Sequence, residues 1–352
     1  MSEMWGNRQA EFRVMLTSLA GEDIGLLDGV ESGSITLSST TRLRASGTLN
    51  VIDTGQEINW LRTHARVDYV PQGMEGWSVG TFVMSAPHRT VEEHRVVYDV
   101  ELQGLLAYPD RAVLKEVTHH DGSGAQHLLK SLFRKFRRVP STIEFPTFPL
   151  KESVWDAGTS VLTVINEVLN AGGYAALTTD GRGTLNVSKY IRPSLRPVRY
   201  RFVEGSKAIH SASWTIDRDI FTVPNVVICV GTGGTGSQQM AGQSPPPLVG
   251  RAENRNQHDP FSIQNRGEVA YIETGVQAAS QEIIDEIAHR ILQERAAPAA
   301  SLVIEHMPVP ISPGDVVEFV SQGTRMHCVV QQMEYKLSPT ALVKTTMKEI
   351  RE

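Results

Sequence analysis

Between residues 11 and 108, apolar and polar positions alternate with the two-residue period of half-buried strands. Phe12, Val14 and Leu16 share one side of a first strand, Ile35 and Leu37 of a second, and Leu43, Ala45, Leu49 and Val51 of a third. Gly25, Gly29, Gly33, Gly47 and Gly55 punctuate these runs at turn-like intervals, and the Ser46-Gly47 step predicts a bulge. A short helical turn is expected over 56–63. Short strands with regular turn signals predict a small barrel or sandwich.

After Pro109 the period changes. Ala125, Leu128, Leu129, Leu132, Phe133 and Phe136 fall on one helical face, with Lys130, Arg134, Lys135, Arg137 and Arg138 opposite and Pro140 as the stop. A proline-broken link through Pro146 and Pro149 leads to a second helix whose apolar face is Val161, Leu162, Ile165, Val168 and Leu169. Thr159 or Ser160 is its expected N-cap, and Gly172-Gly173 ends it. Strands over 174–178 and 185–190 flank Asp180-Gly181-Arg182-Gly183, a hairpin signal.

Strand patterns resume over 198–203, 211–216 and 223–230. The stretch 231–267, rich in Gly, Pro, Gln and Asn and carrying Pro245-Pro246-Pro247, reads as a flexible loop. A third helix follows Ser280, with Ile283, Ile284, Ile287, Ile291 and Leu292 on one face and Pro298 beyond it. Four final strands are expected over 301–304, 315–320, 326–336 and 341–350.

One pairing of segments organises the rest. Residues 67–73 read Val-Asp-Tyr-Val-Pro-Gln-Gly, and residues 317–323 read Val-Glu-Phe-Val-Ser-Gln-Gly. Each is a half-buried strand entering a turn, and each is followed by an apolar strand, a polar turn and a second long strand. Agreement in order over such a length predicts two copies of one β-module. The expected fold class is therefore α+β, mainly β: two similar small β-barrel-like modules with an α+β insert between them. The boundaries fall at 1–108 for the first module, 109–198 for the insert and 199–352 for the second, which holds the loop 231–267 and a helix near 280–297.

A chain of 352 residues with 40% hydrophobic and 21% charged positions has ample material for more than one core. Its net charge of −5 does not favour stable binding to DNA phosphate. No apolar run is long enough to span a bilayer, and the first residues carry no secretory signal pattern. Cys229 and Cys328 each sit in an apolar strand-like run and are expected to be buried free thiols.

Gly231-Thr232-Gly233-Gly234-Thr235-Gly236 fits G-x-G-x-x-G, but the last glycine must open a helix that holds pyrophosphate. Here the chain runs on into Gln-rich and Pro-rich sequence, so a loop is expected. His119, His120, Asp121 and His127 lack the spacing that converges metal ligands; His88 and His94 flank an outer hairpin turn. No G-x-S-x-G elbow is present. The acid pairs Glu92-Glu93 and Asp217 with Asp219 lie in polar, turn-like stretches rather than facing each other across a nominated cleft. The basic face from Lys130 to Arg138 lacks interleaved aromatics. Trp5, Trp60, Trp77, Trp155 and Trp214 are scattered, so no carbohydrate platform is nominated. No residue stands out as catalytic, cofactor-binding or metal-binding.

The order of parts carries a resemblance. Gly33-Ser34-Ile35 opens a strand pair that ends in Arg44-Ala45-Ser46-Gly47-Thr48-Leu49-Asn50-Val51. Ser160-Val161-Leu162, Ala171-Gly172-Gly173-Tyr174 and Asp180-Gly181-Arg182-Gly183-Thr184-Leu185 follow. Asn225-Val226-Val227-Ile228-Cys229-Val230-Gly231 and Ile311-Ser312-Pro313-Gly314-Asp315-Val316-Val317 complete the series. The chain resembles the tail-hub proteins of tailed bacteriophages, also called baseplate hub, late-control or minor tail proteins. The resemblance implies a non-enzymatic structural protein without cofactors. It implies a homotrimer whose two β-modules per chain make a pseudo-six-fold ring. That ring would join a hexameric distal-tail or tail-tube protein to a tail spike or central fibre and surround a channel for the tape-measure protein and then DNA in transit. It places the chain in the virion, at the tail tip, after assembly in the host cytoplasm. The stretch 231–267 and the turns after Gly73 and Gly323 are the expected contacts with neighbours. A tail-borne cell-wall hydrolase and a host-carbohydrate-binding tail protein stand as the alternatives.

Overall fold

The structure, a computed structural model, describes residues 9–350 apart from 94, 116, 120–123, 137–138, 142, 151–152, 207, 219, 232–247, 277–279 and 296–299. The described residues are mostly β, with 46% strand and 16% helix. Two compact units divide the chain: residues 1–215 with 302–352, and residues 216–301.

The first unit begins with seven strands, β1 (Ala10–Ser18), β2 (Asp23–Leu26), β3 (Val30–Ser38), β4 (Ala45–Ile52), β5 (Thr63–Pro71), β6 (Trp77–Glu92) and β7 (Arg95–Gly104). Their pattern is the alternation read from sequence: in β5 the residues Val67, Tyr69 and Pro71 are buried, while Asp68 and Val70 are half-buried. The helical turn expected over 56–63 is a single turn, with the Thr63 amide donating to the Asn59 carbonyl. The bulge expected at Ser46-Gly47 is not there; β3 and β4 pair without a break through Ile35 and Gly47. The register shift lies between Val30 and Ser32 instead. Gly47 answers to close packing, since a Cβ there would stand 2.3 Å from the Ser34 carbonyl oxygen.

The helical insert follows: α1 (Ala107–Arg111), β8 (Val117–His119), α2 (Ala125–Phe133), β9 (Ser153–Trp155), α3 (Val161–Ala171), β10 (Thr178–Thr179) and β11 (Leu185–Asn186). The apolar stripe of α2 is buried from Ala125 to Phe133, and Phe136 continues it in a 3-10 turn. Ser160 is the N-cap of α3, its hydroxyl accepting from the Thr163 amide at 3.3 Å. Both helices pack into one core with Leu105, Leu106, Leu177 and Leu185. The hairpin between β10 and β11 closes as predicted, with the Thr184 amide donating to Asp180 Oδ1 at 2.8 Å.

β12 (Val198–Val203) and β13 (His210–Asp217) bring the chain to the second unit. That unit holds β14 (Val226–Gly231), β15 (Val249–Glu253), α4 (Ile263–Arg266), β16 (Ala270–Val276) and α5 (Gln281–Arg295). Its sheet runs β15-β14-β16, antiparallel on one side of β14 and parallel on the other. Ile284, Ala288 and Leu292 of α5 close its core over Val227, Cys229 and Ala252. Part of the stretch read as a flexible loop, 231–267, is thus regular: Val249–Glu253 pairs with Val226–Val230 of β14, and Ile263–Arg266 is a helical turn. Residues 232–247, including the glycines of the G-x-G-x-x-G motif after Gly231, lie outside the described residues.

The chain then returns to the first unit with β17 (Ser301–His306), β18 (Val316–Ser321), β19 (Thr324–Lys336) and β20 (Val343–Glu349). Thirteen strands form one sheet in the order β13-β17-β20-β19-β3-β4-β7-β6-β5-β1-β2, with β18 on β19 and β12 on β18.

Candidate assembly interface

The two similar hairpins sit in matching places. β5 pairs with β6, β6 with β7, β7 with β4 and β4 with β3; β18 pairs with β19, β19 with β20, β20 with β17 and β17 with β13. Adding β1 beside β5 and β12 beside β18 gives two six-strand arrays whose members follow the same chain order. Tyr69 and Phe319 hold the same step of the sequence match and are both buried, at 2% and 0% exposure. One strand breaks the match, because β1 is antiparallel to β5 whereas β12 is parallel to β18.

The turns also differ. Ser321 faces Thr324 directly, and Gln322 and Gly323 both take positive φ, at 50° and 74°, as a two-residue hairpin requires. In the first copy only Gly73 is positive, at 74°, and the turn is longer, with Tyr69 facing Trp77. The acids of the two copies have diverged with it. Asp68 and Arg66 pair at 3.0 Å near the surface, and Asp23 joins them. Glu318 is 1% exposed and is held by Arg325 at 2.7 Å and by Arg201. Burial pushes the Glu318 carboxyl up; the Arg325 hydrogen bond and the charges of Arg201 and Arg325 more than offset it, so its pKa lies below the ordinary value.

The arrays join edge to edge within the chain. β3 pairs with β19 from Ser38 opposite Gln332 to Ser34 opposite Lys336. Since β18 covers β19 only from Thr324 to Val329, β3 takes the rest of the same side. Sequence reading missed this junction, although a signal was present. β3 reads Ser32-Gly33-Ser34-Ile35-Thr36-Leu37, and β13 reads Ser211-Ala212-Ser213-Trp214-Thr215-Ile216. Likewise Leu49 and Val51 of β4 have buried counterparts in Leu302 and Ile304 of β17.

The insert is docked on the first array. Thr81 Oγ1 of β6 donates to the Gly181 carbonyl at 2.9 Å, and a Cβ on Gly181 would meet the Ser78 carbonyl oxygen at 2.0 Å. His64 of β5 lies 2.9 Å from the Tyr108 hydroxyl of α1, beside a cavity of about 420 Å³ lined also by Leu19, Leu61, Arg134 and Lys135. Burial lowers the His64 pKa to about 4, so the ring is neutral at neutral pH.

A second cavity, about 650 Å³, lies over the solvent side of β3, β4 and β7. Ser32, Ser34, Thr48, Asn50, His88, Asp99 and Glu101 line it without a lysine or arginine, and Asn50 donates to Asp99 at 2.7 Å.

The residues weighed for chemistry are dispersed. His119 is in β8, opposite Ser153; His120, Asp121 and His94 lie outside the described residues; His127 and His88 are exposed. Among the described residues no three His, Cys, Asp or Glu side chains gather to hold a metal ion. Glu93 and Asp217 are exposed, and Asp219 lies outside the described residues. Lys130, Arg134 and Lys135 are exposed on the outer side of α2 and its 3-10 turn, and Arg137 and Arg138 lie outside the described residues. Trp60, Trp77 and Trp214 are half-buried against Tyr98, Tyr69 and Phe319, and Trp155 donates to Glu167 at 2.7 Å. Trp5 lies outside the described residues. Cys229 and Cys328 are buried free thiols, as expected, with burial raising the Cys328 pKa to about 12. Among the described residues no helix is long and apolar enough to cross a membrane.

No protein-family model matches the chain. No curated protein matches it in sequence. Solved structures do match in fold. A tail protein from Neisseria meningitidis MC58 superposes with a TM-score of 0.66 over 96% of this chain and 97% of its own, at 11% identity. The 43 kDa tail protein of prophage MuSo2 from Shewanella oneidensis gives 0.65 over 96% and 98%, again at 11% identity. The prophage tail protein gp18 from Listeria monocytogenes EGD-e gives 0.57 over 97% and 95%, at 11% identity. The fold is therefore one shared with phage tail proteins, across almost the whole length of each.

Proposed function

We propose that this chain is a structural hub of a phage tail: a homotrimer in which two β-arrays per chain form a pseudo-six-fold ring at the tail tip. The observation that carries the reading is the repeated strand order, β1-β5-β6-β7-β4-β3 against β12-β18-β19-β20-β17-β13, inside a fold shared with tail proteins. A closed ring fixes how many equivalent surfaces it offers, so a duplicated module is the simplest means by which three chains meet a hexameric neighbour. In this reading the first array (within 1–108) and the second (within 199–352) alternate about 60° apart around the ring, with the helical insert 109–198 attached to the first. Its function is geometric: adaptor between a tail-tube hexamer and a spike or central fibre, and wall of a channel for tape-measure protein and DNA.

The polar cavity over β3, β4 and β7 fits a channel wall. Asp99 and Glu101 repel phosphate, and the absence of lysine and arginine from its lining leaves DNA nothing to hold. Assembly takes place in the host cytoplasm and the product resides in the virion. Image reconstruction of the assembled tail tip tests the reading. A three-fold particle with two superposable arrays per chain is expected; a monomer or dimer in mature virions would refute it.

A further inference from the structure

We infer that the first unit carries two complementary sheet edges that join copies of this chain head to tail: the outer edge of β13 and the outer edge of β6 beyond Met84. The inference rests on the ring reading and gives that ring its contact. The template is the junction inside the chain, where β3 lies along β19 on the side away from β20 and past the end of β18. By strand order β13 is the counterpart of β3, and β6 that of β19. Moved to the counterparts, the same junction sets β13 along a β6, on the side away from β7 and past the end of β5.

Both edges are open among the described residues. β13 has β17 as its one neighbour, and β6 pairs with β5 only as far as Val83, after which β7 alone accompanies it. Each segment of the acceptor type also begins at a bulge, between Ser85 and His88 in β6 and between Val330 and Gln332 in β19. A bulge bends a strand and re-aims its edge. Pro87 sits within the first of these bulges, a position that tolerates its missing amide donor.

The chemistry of the donor edge points the same way. Strands that remain free are blunted by charge, proline or short length. β2, at the far end of the sheet, is such a strand, four residues long with Asp23 in it. β13 is twice as long; Asp217 is its last residue, and its middle, Ser-Ala-Ser-Trp-Thr over 211–215, holds neither charge nor proline. Its likeness to residues 32–36 of β3, a segment whose Ser34 and Thr36 are covered by β19, extends to the serines and the threonine. Because one copy offers one edge of each kind, the contact is heterologous, and it closes when the rotation per chain closes. The ring would then alternate β3–β19 junctions within chains and β13–β6 junctions between them.

Disulfide trapping tests this. Cα atoms of facing residues in a strand pair lie about 4.5–5.5 Å apart, within disulfide reach. Thr215, counterpart of the central Thr36, becomes Thr215→Cys and is combined in turn with His88→Cys, Arg89→Cys, Thr90→Cys and Val91→Cys. The buried Cys229 and Cys328 do not compete. At least one double variant should oxidise to covalent multiples ending in a closed three-chain species, while every single variant stays uncross-linked. Native mass spectrometry of the unoxidised variants separates the failures. A three-chain particle with no cross-link in any pair overturns the interface and leaves the ring standing. A monomer at every concentration overturns both.

Discussion

His64 gives the most direct physical test of how the insert is seated on the first array. Its ring is buried against the Tyr108 hydroxyl, and burial lowers its pKa from 6.5 to about 4. Between those values the unfolded chain binds a proton that the folded chain does not. Stability is therefore intact above pH 6.5, falls as the pH drops towards 4, and stops falling from this cause below it. At about 1.4 kcal/mol per pKa unit the full loss is about 3 kcal/mol. His64→Gln removes the titration and keeps a polar group near Tyr108, at a cost of about 1 kcal/mol at pH 7 for the altered hydrogen bond. Amide exchange of Thr63–Pro71, read by mass spectrometry from pH 7 down to pH 4, reports on this site alone. The native chain should lose protection over that range by about 3 kcal/mol more than His64→Gln does. Parallel curves for the two proteins, or an imidazole that titrates near its ordinary value by NMR, would refute the argument.

Other perturbations probe the remaining contacts. Gly181→Ala drives a Cβ to 2.0 Å from the Ser78 carbonyl oxygen and should cost about 1–3 kcal/mol by overpacking; cleavage by protease within 140–185 should accelerate. Gly25→Ala, whose Cβ would meet nothing within 4 Å, is the control and should leave that cleavage slow. Glu318→Gln should destabilise by about 1–2 kcal/mol at pH 7, less than for a wholly buried pair because Arg201 and Arg325 are solvated. Since the folded pKa of Glu318 is depressed, this contribution is present above its unfolded value of 4.5 and is lost as the pH falls through the folded one. The native and Glu318→Gln denaturation midpoints should therefore converge in acid, and a constant gap would count against the pairing. Phe319→Ala empties a site packed by the Trp214 and His210 rings and should cost about 3–5 kcal/mol in chemical denaturation. Tyr69→Ala should cost a similar amount if the two hairpins are equivalent, and a surface-like value for either would break that equivalence.

Local order was legible in the chain. Two-residue alternation placed β1, β5, β18 and β19, and helical spacing placed α2, α3 and α5, because each element must turn one apolar face inward whatever it packs against. Ser160 as a cap and Asp180-Gly181-Arg182-Gly183 as a turn were equally local, since their hydrogen bonds close within a few residues. The repeated hairpin was readable for the same reason. The rest needed the tertiary structure. β15 was read as loop because its inward residues, Gly250 and Ala252, are small and give almost no apolar signal. They are small because α5 lies there: a Cβ on Gly250 would stand 2.4 Å from the Ile284 carbonyl oxygen. The likeness of β13 to β3 is written in the sequence, but the second unit, inserted after β13, breaks the spacing that would have linked it to the repeated hairpin. Pairing of β3 with β19 joins residues almost three hundred apart through backbone groups that every residue carries. Sequence alone determined the repeated hairpin and the helices; which strand edges meet was decided by the folded sheet.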